Sequence, residues 1–479
     1  MTVPPEQIRT APPPTGGAPA PSGSRRRWPA LAVVLTGQFM ASMDTTVGNI
    51  AAPSIQQDLR IEPGTAALAV AAYTLMYASL LITGARLGSD RGRRRLFLIG
   101  ITVFTLSSVA IGLAPDAIVL IGARAVQGAG AAMAVPQAIS FIQADFTGTA
   151  RTRALAAYGA MISFGATAGL ALGGALISLD VFGLGWRIVF LINLPVGLAV
   201  LVGAARLLPE IAVSPRQLDL AGVGLLTVGA ASITGALALG PDTGWTWPVA
   251  AVAALGVAVL AVFLAWQRIQ LRRNGAPLLD LRTVAVPGMR PGLIALLLSG
   301  TTYTGVLFCV AADLQEHHGR SAAAAGIALV PFAIGFGVGS APGSLVPHRR
   351  HLVLTIVGLG VLGGSLILLG ASERGDGPHP VGAVMLLATA GFGYGACFTP
   401  LLGLTVAHVR PDQVPDATGI ATTTFQFSFV LGVAVFGSLY TATSLAFALA
   451  LMGALACAAI APAAMIRPIN NFGRQTNNA

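Results

Sequence analysis

Charged side chains are scarce in this sequence, and lysine is absent altogether. Only 10% of the 479 residues are charged, whereas 54% are hydrophobic and the mean hydropathy is +0.77. Because soluble chains carry roughly 25% charged residues, this composition excludes an ordinary soluble domain and predicts an integral membrane protein. The absence of lysine also excludes the Gly-x-x-x-x-Gly-Lys-Ser/Thr phosphate loop, so we do not expect transport driven by ATP hydrolysis on this chain.

Metal-binding and nucleophile signatures are missing as well. The three cysteines, Cys309, Cys397 and Cys457, lie in apolar runs and lack the close spacing of metal ligands. The sequence contains no nucleophile elbow and no cluster of metal ligands. We therefore predict no catalytic residues, no metal and no cofactor. The expected function is not that of an enzyme, and an ion gradient is the expected source of energy.

The net charge of +10 comes from 28 arginines, and their distribution is informative. If the apolar runs span a membrane and the N-terminus is cytoplasmic, 23 arginines fall in cytoplasmic loops and tails. Arg60, Arg187, Arg320 and Arg374 fall on the other side, and Arg124 falls inside a run. This bias follows the positive-inside rule. It predicts a multi-pass protein of the cell (inner or plasma) membrane with both termini in the cytoplasm, and no nucleic-acid partner.

Fourteen apolar runs are long enough to cross a bilayer, the first over about 29–52 and the last over about 443–466. Because lipid offers no partner to backbone polar groups, these runs predict an all-α fold. The predicted segments are a disordered cytoplasmic tail (1–27), a six-helix bundle (28–208), two extra helices (219–268), a cytoplasmic linker (269–290), a second six-helix bundle (291–467) and a cytoplasmic tail (468–479). A glycine-arginine motif at 84–95 recurs at 339–350, which supports two related bundles.

Two charged residues lie deep inside predicted spans, away from the span ends. Asp44 is about 16 residues into the first span, roughly 24 Å from its inner end, where a carboxylate costs roughly 3 kcal/mol. Arg124, on a span that enters from the other side, falls at a similar depth. We predict that the two interact, directly or through water, and that Asp44 binds and releases a proton. The alternatives are helix-local hydrogen bonds for Asp44 and bonds to backbone carbonyls for Arg124. Asp313 is expected to be a solvated residue at the end of its span.

Five motifs resemble those of the fourteen-span drug:proton antiporters of the major facilitator superfamily (the EmrB/QacA type). They are Asp44–Pro53 in the first span, Gly88–Arg95 in the next loop, Arg124–Ala132 in the fourth span, Gly165–Gly174 in the fifth span and Trp186–Gly197 at the start of the sixth. The resemblance implies two six-helix bundles plus two extra central helices, and export by alternating access. The chain departs from the family pattern at Ser89, at Leu170 and at Phe425, which stand where the family usually has an acid, a proline and often an arginine.

The resemblance also implies roles for individual residues. Asp44 and Arg124 would carry proton coupling. An inner-gate loop would contain Gly88, Asp90, Gly92, Arg93 and Arg94. An antiporter-type glycine ridge would contain Gly165, Gly169, Gly173 and Gly174.

A substrate cavity is predicted from apolar and polar residues that share spans one and thirteen. Its candidates are Gln38, Met40, Met43, Asn49, Phe425 and Gln426. Apolar walls with a few polar groups suit drug-like molecules. We predict proton-driven efflux of lipophilic or amphipathic small molecules, with substrate, protons and the lipid bilayer as partners and a monomer favoured. The alternatives are ion-coupled uptake of a small metabolite on the same fold and a non-transport membrane sensor.

Overall fold

The computed structural model describes residues 27–210, 219–273, 275, 277–341, 346–373, 380–410 and 413–466. Within these ranges, fourteen helices are long and apolar enough to cross a membrane. They are α1 (Arg27–Leu59), α2 (Pro63–Arg91), α3 (Arg93–Gly112), α4 (Ala117–Asp145), α5 (Gly148–Ser178), α6 (Gly185–Leu207), α7 (Leu220–Thr243), α8 (Trp247–Arg272), α9 (Met289–Glu316), α10 (Ala322–Ser340), α11 (His351–Ser372), α12 (Pro380–Val406), α13 (Ala417–Ala442) and α14 (Leu445–Ala464).

Helix α1 is longer than its apolar run. It has 33 residues and continues to Leu59, past the predicted end of the span near residue 52. The extra turns contain Gln56, Gln57 and Asp58, whose polar side chains end the apolar pattern but not the helix. At 1.5 Å per residue the helix is about 50 Å long, so it projects beyond a hydrocarbon core of about 30 Å.

The helices form two bundles, α1–α6 and α9–α14, with α7 and α8 as an extra pair. In the first bundle α4 packs against α2 and α3, and α1 packs against α5. In the second, α12 packs against α10 and α11, and α11 packs against α14. The bundles meet where α5 contacts α10, α2 contacts α13 and α1 contacts α9. Helix α7 lies against α2 and α13, so the extra pair borders both bundles.

The two ends of the molecule differ in how the bundles are packed together. We call the end where α2 meets α3 the arginine-rich end, and the other the opposite end. One core cluster, which includes Ile50 of α1 and Val306 of α9, joins both bundles toward the opposite end. Near the arginine-rich end the bundles have separate cores, represented by Phe97 in the first and Ile420 in the second. The main shared core of the bundles therefore lies toward the opposite end.

A buried carboxylate organises the start of the extra helix pair. Asp219 is 5% exposed and accepts hydrogen bonds from Trp266 Nε1 and Gln267 Nε2, each at 2.8 Å, and from the backbone N–H of Gly222 and Leu278. Burial alone would raise the pKa of Asp219, but these four bonds outweigh it and hold the pKa below its ordinary value. Asp219 therefore serves as an ionised anchor for the helix pair.

The segment after α8 is fixed to this anchor. Gln267 accepts a hydrogen bond from the backbone N–H of Leu279 at 3.0 Å. Arg86, near the end of α2, donates to the backbone carbonyl of Pro277 at 2.9 Å. The part of the predicted linker that follows residue 277 is therefore packed against both the extra pair and the first bundle.

Asp313 departs from its expected place as a solvated helix end. The residue is 8% exposed, and its Oδ1 accepts a hydrogen bond of 3.2 Å from the Tyr440 hydroxyl. His318 Nδ1 lies 3.2 Å from Oδ2, and His317 Nδ1 lies 3.8 Å from Oδ1. The expectation was wrong because α9 continues to Glu316 and the end of α13 places Tyr440 over the carboxylate.

Candidate functional site

Asp44 lies at the centre of the first bundle, in a network of side chains from four helices. Its carboxylate is 1% exposed and receives a direct bond from Nη1 of Arg124, which is 2% exposed. Gln127 Nε2 donates to Oδ1 of Asp44 at 2.8 Å, and Asn193 Nδ2 approaches the same oxygen at 3.4 Å. Ser108 Oγ accepts hydrogen bonds from both amides, at 2.8 and 3.2 Å. The buried acid therefore has a cation and two amides as partners.

Arg124 is held from several directions besides Asp44. Its guanidinium carbon lies 4.5 Å from the ring centre of Tyr73 and 5.5 Å from that of Phe190. Nη1 also donates to Gln127 Oε1 at 2.7 Å, and Nε donates to the carbonyl of Ala69 at 3.4 Å. Such aromatic contacts stabilise a cation, most strongly where water is excluded. The guanidinium therefore keeps partners whenever the carboxylate is protonated.

Two of these partners stand in motifs that the sequence already marked, and one does not. Gln127 follows Arg124 by one helical turn, and Asn193 lies in the run that opens α6. Sequence reasoning left both without a role because nothing in one chain shows which face of a helix meets Asp44. Ser108 gave no signal at all, since a serine in an apolar helix is ordinary.

The beginning of α6 holds a second charged contact, at the opposite end. Arg187 Nη1 and Trp186 Nε1 both donate to Oδ2 of Asp58, at 2.5 and 3.0 Å. Arg187 also stacks over the Trp186 ring at 4.6 Å. Since Asp44 and Asp58 both belong to α1, the run from Trp186 to Asn193 contacts that helix at two levels. This explains why the run carries polar residues inside a membrane segment.

The glycine ridge of α5 packs directly on α1. A Cβ atom at Gly165 would meet the carbonyl of Phe39, and one at Gly173 would meet the side chain of Val47. Gly169 leaves space for the Met43 carbonyl and the Thr46 hydroxyl. Such small residues allow two membrane helices to approach closely. The ridge therefore fixes α5 against the residues that flank Asp44.

Gly174, the last residue of the predicted ridge, faces the second bundle instead. Its Cα approaches the carbonyl of Ala322, the first residue of α10. One turn along α10, Gly326 lies against the carbonyl of Leu170. Helix α5 thus contacts α1 on one side and α10 on another, so it connects the Asp44 network to the interface between the bundles.

We expect a Gly169→Ala variant to lose about 2 kcal/mol of stability, because the new methyl group would overlap the Met43 carbonyl and the Thr46 hydroxyl. The matched control is Gly159→Ala on the same helix, since nothing lies within 4 Å of a Cβ at Gly159. Thermal unfolding of both variants in detergent is the measurement. A midpoint for Gly169→Ala equal to that of Gly159→Ala would show that α1 and α5 are not packed as described.

The loop between α2 and α3 is tight. Gly88 lies against the side chain of Gln137 on α4, where a Cβ atom would not fit. Gly92 has a φ of +98°, a backbone conformation that favours glycine, and it joins the two helices. Asp90 makes only a long contact of 3.9 Å with its neighbour Arg91 within the described residues.

Arg93 and Arg94, the arginines predicted for the inner-gate loop, bond to other helices of the first bundle. Arg93 Nη1 donates to the carbonyl of Ser140 on α4 at 3.2 Å. Arg94 donates to the carbonyl of Ala205 on α6 and lies 3.3 Å from the carboxylate of Glu210. In the part of the chain that the structure describes, these bonds join α3 to α4 and α6 at the arginine-rich end.

The cavity candidates on α1 occupy different faces. Gln38 and Asn49 belong to a polar stripe that also contains Ser42 and Thr45, at i, i+4, i+7 and i+11. Ser42 and Thr45 are partly exposed, and the amide oxygens of Gln38 and Asn49 have no partner among the described residues. The buried Met43 presents its carbonyl to the glycine ridge of α5. Met40 packs in the core of the first bundle.

The candidates on α13 belong to the second bundle. Phe425 is partly buried and packs 4.4 Å from Phe398 and 4.6 Å from Phe429, measured between ring centres. These rings belong to an aromatic cluster of seven residues, Tyr303, Phe332, Phe336, Tyr394, Phe398, Phe425 and Phe429. Gln426, the next residue along the helix, is buried.

One protein-family model matches the chain over most of its length. The family model described as Major Facilitator Superfamily matches residues 34–222, 218–433 and 292–478, which together cover most of the chain.

Individual relatives match along most of their length. The chain is 35% identical to the probable actinorhodin transporter of Streptomyces coelicolor, over 92% of this chain and 77% of that protein. It is 35% identical to the cephamycin export protein CmcT of Amycolatopsis lactamdurans, over 85% and 83% of the two chains. It is 33% identical to the puromycin resistance protein of Streptomyces alboniger, over 88% and 83%. With twelve membrane-length helices in two bundles, an extra helix pair and a buried ion pair inside the first bundle, the chain belongs to the Major Facilitator Superfamily and is a membrane transporter, not an enzyme.

Proposed function

We propose that this protein exports lipophilic or amphipathic small molecules, antibiotics among them, in exchange for protons, as a fourteen-span antiporter of the EmrB/QacA type. The observation that carries the proposal is the buried pair of Asp44 and Arg124, which joins α1 to α4 at the centre of the first bundle. Acids inside membrane spans are costly and usually functional. The named relatives include a transporter, an export protein and a resistance protein, and each name refers to an antibiotic.

Proton binding at Asp44 would loosen one helix selectively. The ionised carboxylate attracts Arg124, and a proton on Asp44 removes that attraction. Arg124 then keeps its bonds to Gln127 and Ala69 and its place beside Tyr73. The site on α4 thus stays formed while α1 is released from it.

Helix α1 is suited to transmit this change to the other bundle. It contacts α5 along the glycine ridge, and α5 in turn contacts α10 at Gly174. It also contacts α9 directly, where Gln315 Nε2 donates to the carbonyl of Ile50 at 3.3 Å. Both connections lie toward the opposite end, where the bundles share a core. Release of α1 would therefore change how the two bundles pack at that end.

The proposed orientation places the arginine-rich end in the cytoplasm with both termini, in accordance with the positive-inside rule. The present conformation then corresponds to a state closed on the outside. Substrate would enter from the cytoplasm and meet the polar stripe of α1 that runs from Gln38 to Asn49. The partly exposed hydroxyls of Ser42 and Thr45 in this stripe suit ligands that combine a lipophilic body with a few hydrogen-bonding groups. The functional unit is proposed to be a monomer.

The proposal is tested with inside-out membrane vesicles that contain the protein, energised by respiration. A panel of lipophilic and amphipathic antibiotics is added, and uptake into the vesicles is compared with that of vesicles without the protein. We expect uptake of at least one compound, and we expect a protonophore to abolish it. Accumulation that requires the opposite proton gradient would contradict export and support uptake of a metabolite. The absence of any transport across the panel would contradict the proposed substrate class.

A further inference from the structure

The hydroxyl of Ser108 on α3 uses all of its hydrogen-bonding capacity. Ser108 is fully buried, and its Oγ donates to the carbonyl of Phe104, one turn earlier in the helix, at 2.8 Å. The same oxygen accepts hydrogen bonds from Gln127 Nε2 at 2.8 Å and from Asn193 Nδ2 at 3.2 Å. A hydroxyl has one hydrogen and two lone pairs, and here all three are occupied. Ser108 therefore offers the two amides only an acceptor.

This acceptor fixes the direction of both amide groups. Each amide turns its NH₂ group, and not its oxygen, toward Ser108, and each NH₂ group then has a second hydrogen to donate. Gln127 Nε2 donates to Oδ1 of Asp44 at 2.8 Å, and Asn193 Nδ2 lies 3.4 Å from the same oxygen. The orientation of Gln127 is consistent with its other contact, because its Oε1 accepts from Arg124 Nη1 at 2.7 Å. Both amides thus present donors to the carboxylate.

The surroundings of Asp44 consequently suit its ionised form. Oδ1 faces the two amide donors, and Oδ2 faces the guanidinium of Arg124. The other titratable side chain beside Asp44 in the described part of the chain is Tyr73, whose hydroxyl donates to the carbonyl of Ala41 at 3.0 Å. A neutral acid carries a hydrogen that needs an acceptor, and the three groups bonded to the carboxylate offer none as they are oriented. An amide oxygen could turn toward Asp44 and still be bonded only if the Ser108 hydroxyl gave up its own carbonyl partner.

We infer that Ser108 is a positioning residue for proton release from Asp44. It holds both amides in the donor orientation, so the present conformation favours the ionised acid. This role depends on the proposed proton exchange at Asp44 and deepens it. In the proposed orientation the present conformation is closed on the outside, so Asp44 gives its proton to water on the cytoplasmic side and the carboxylate then pairs with Arg124. Renewed proton binding requires that the amides turn or that α1 moves away from α4.

Infrared difference spectroscopy of the whole protein in lipid nanodiscs tests this role. The C=O stretch of protonated carboxyl groups is followed as the pH is varied, and the Asp44 band is identified by its loss in Asp44→Asn. We expect Ser108→Ala to move the midpoint of this band to higher pH by about one unit, a tenfold change in proton affinity. The reason is that a turned amide oxygen can then accept the hydrogen of the neutral acid without the loss of another hydrogen bond. The substitution removes one oxygen and adds no atom that must be packed.

Ser107→Ala is the matched control on the same helix. Ser107 is also buried, but within the described residues its hydroxyl bonds only to carbonyls of α3, those of Val103 and Phe104. The control should keep the wild-type midpoint. The pH profile of substrate-dependent proton release should show the same contrast, with a shift to higher pH in Ser108→Ala alone.

Three results would overturn the role of Ser108. An Asp44 band with the same midpoint in wild type and Ser108→Ala would do so, and so would an equal shift in Ser107→Ala. Both results would leave the export proposal standing, because drug uptake into vesicles decides that proposal. In the third case no Asp44 band titrates in wild type or in Ser108→Ala, and proton exchange at Asp44 is then contradicted together with the role of Ser108.

Discussion

An Asp44→Asn variant is expected to lose proton-coupled export by at least about 100-fold while it still folds and binds substrate. Asparagine has the shape of the neutral acid but cannot exchange a proton. The contacts of Arg124 with α2 and α4 remain, so the cation keeps Gln127, Ala69 and the Tyr73 ring. In enzymes, positioned acid–base groups contribute factors of about 10² to 10⁴, and this sets the scale of the expected loss.

The measurement is proton release from energised inside-out vesicles when substrate is added. Wild-type protein should release protons from the vesicle lumen, and Asp44→Asn should not. Exchange of substrate in the absence of a proton gradient should persist in the variant. Neither substrate binding nor the change between the inward-open and outward-open conformations requires an ionised side chain at position 44. Equal proton release by both proteins would remove Asp44 from the coupling mechanism.

Asp58→Asn is the matched control on the same helix. Asp58 is also a carboxylate paired with an arginine, but its side chain is 45% exposed at the opposite end and its partner is Arg187. Exposed ion pairs contribute about 0–1 kcal/mol. We therefore expect Asp58→Asn to retain coupled export. The contrast between the two variants attributes the effect to the buried acid and not to the loss of any charge from α1.

The sequence was sufficient to predict the number of spans and their all-helical nature, because a bilayer permits few alternatives. It was less informative where polar residues continue a helix, as at the end of α1, or where another helix covers a charge. Asp313 illustrates the second case. Its burial depends on Tyr440, which lies 127 residues away in the chain, and hydropathy carries no information about that contact.

In the candidate site, too, the sequence predicted some residues, whereas the contacts of others depend on how the helices pack. Asp44 and Arg124 stood out because charge inside an apolar run is rare, and the structure places them in direct contact. Asn193 lay within a recognised run, yet only the packing of α6 shows that it contacts Asp44. The resemblance grouped the antiporter-type glycines as one ridge, but Gly174 faces a different helix from the other three. The functional roles of all these residues remain predictions.

The network around Asp44 also resolves how a buried charge is tolerated before any proton arrives. A lone carboxylate in the membrane is expensive, and a buried ion pair repays that cost only if its remaining atoms are hydrogen-bonded. Both carboxylate oxygens have partners, from Arg124 on one side and from Gln127 and Asn193 on the other, whereas Arg124 Nη2 is buried without a hydrogen-bond partner among the described residues and lies within the reach of the aromatic rings. Removal of the cation should therefore be more damaging to the fold than neutralisation of the acid.

Accordingly, an Arg124→Gln variant is expected to lose about 3–5 kcal/mol of stability, because it leaves the Asp44 carboxylate buried without a cation. If Asp44 instead stays protonated in the variant, the fold is spared but the acid no longer releases its proton. Coupled export stops in both cases. Thermal unfolding in detergent and substrate-dependent proton release are the two measurements. Arg124→Lys is the conservative control, which keeps the charge but loses the planar contact with Tyr73.

The double variant Asp44→Asn/Arg124→Gln separates structure from coupling. With both charges removed, an uncharged hydrogen-bonded pair replaces the ion pair, so stability should return most of the way to the wild-type value. Coupled export should not return, because no group at this position can then bind a proton. A double variant as unstable as Arg124→Gln would mean that the two residues do not interact in the folded protein. A wild-type unfolding midpoint for Arg124→Gln, together with full export, would show that the pair contributes to neither property.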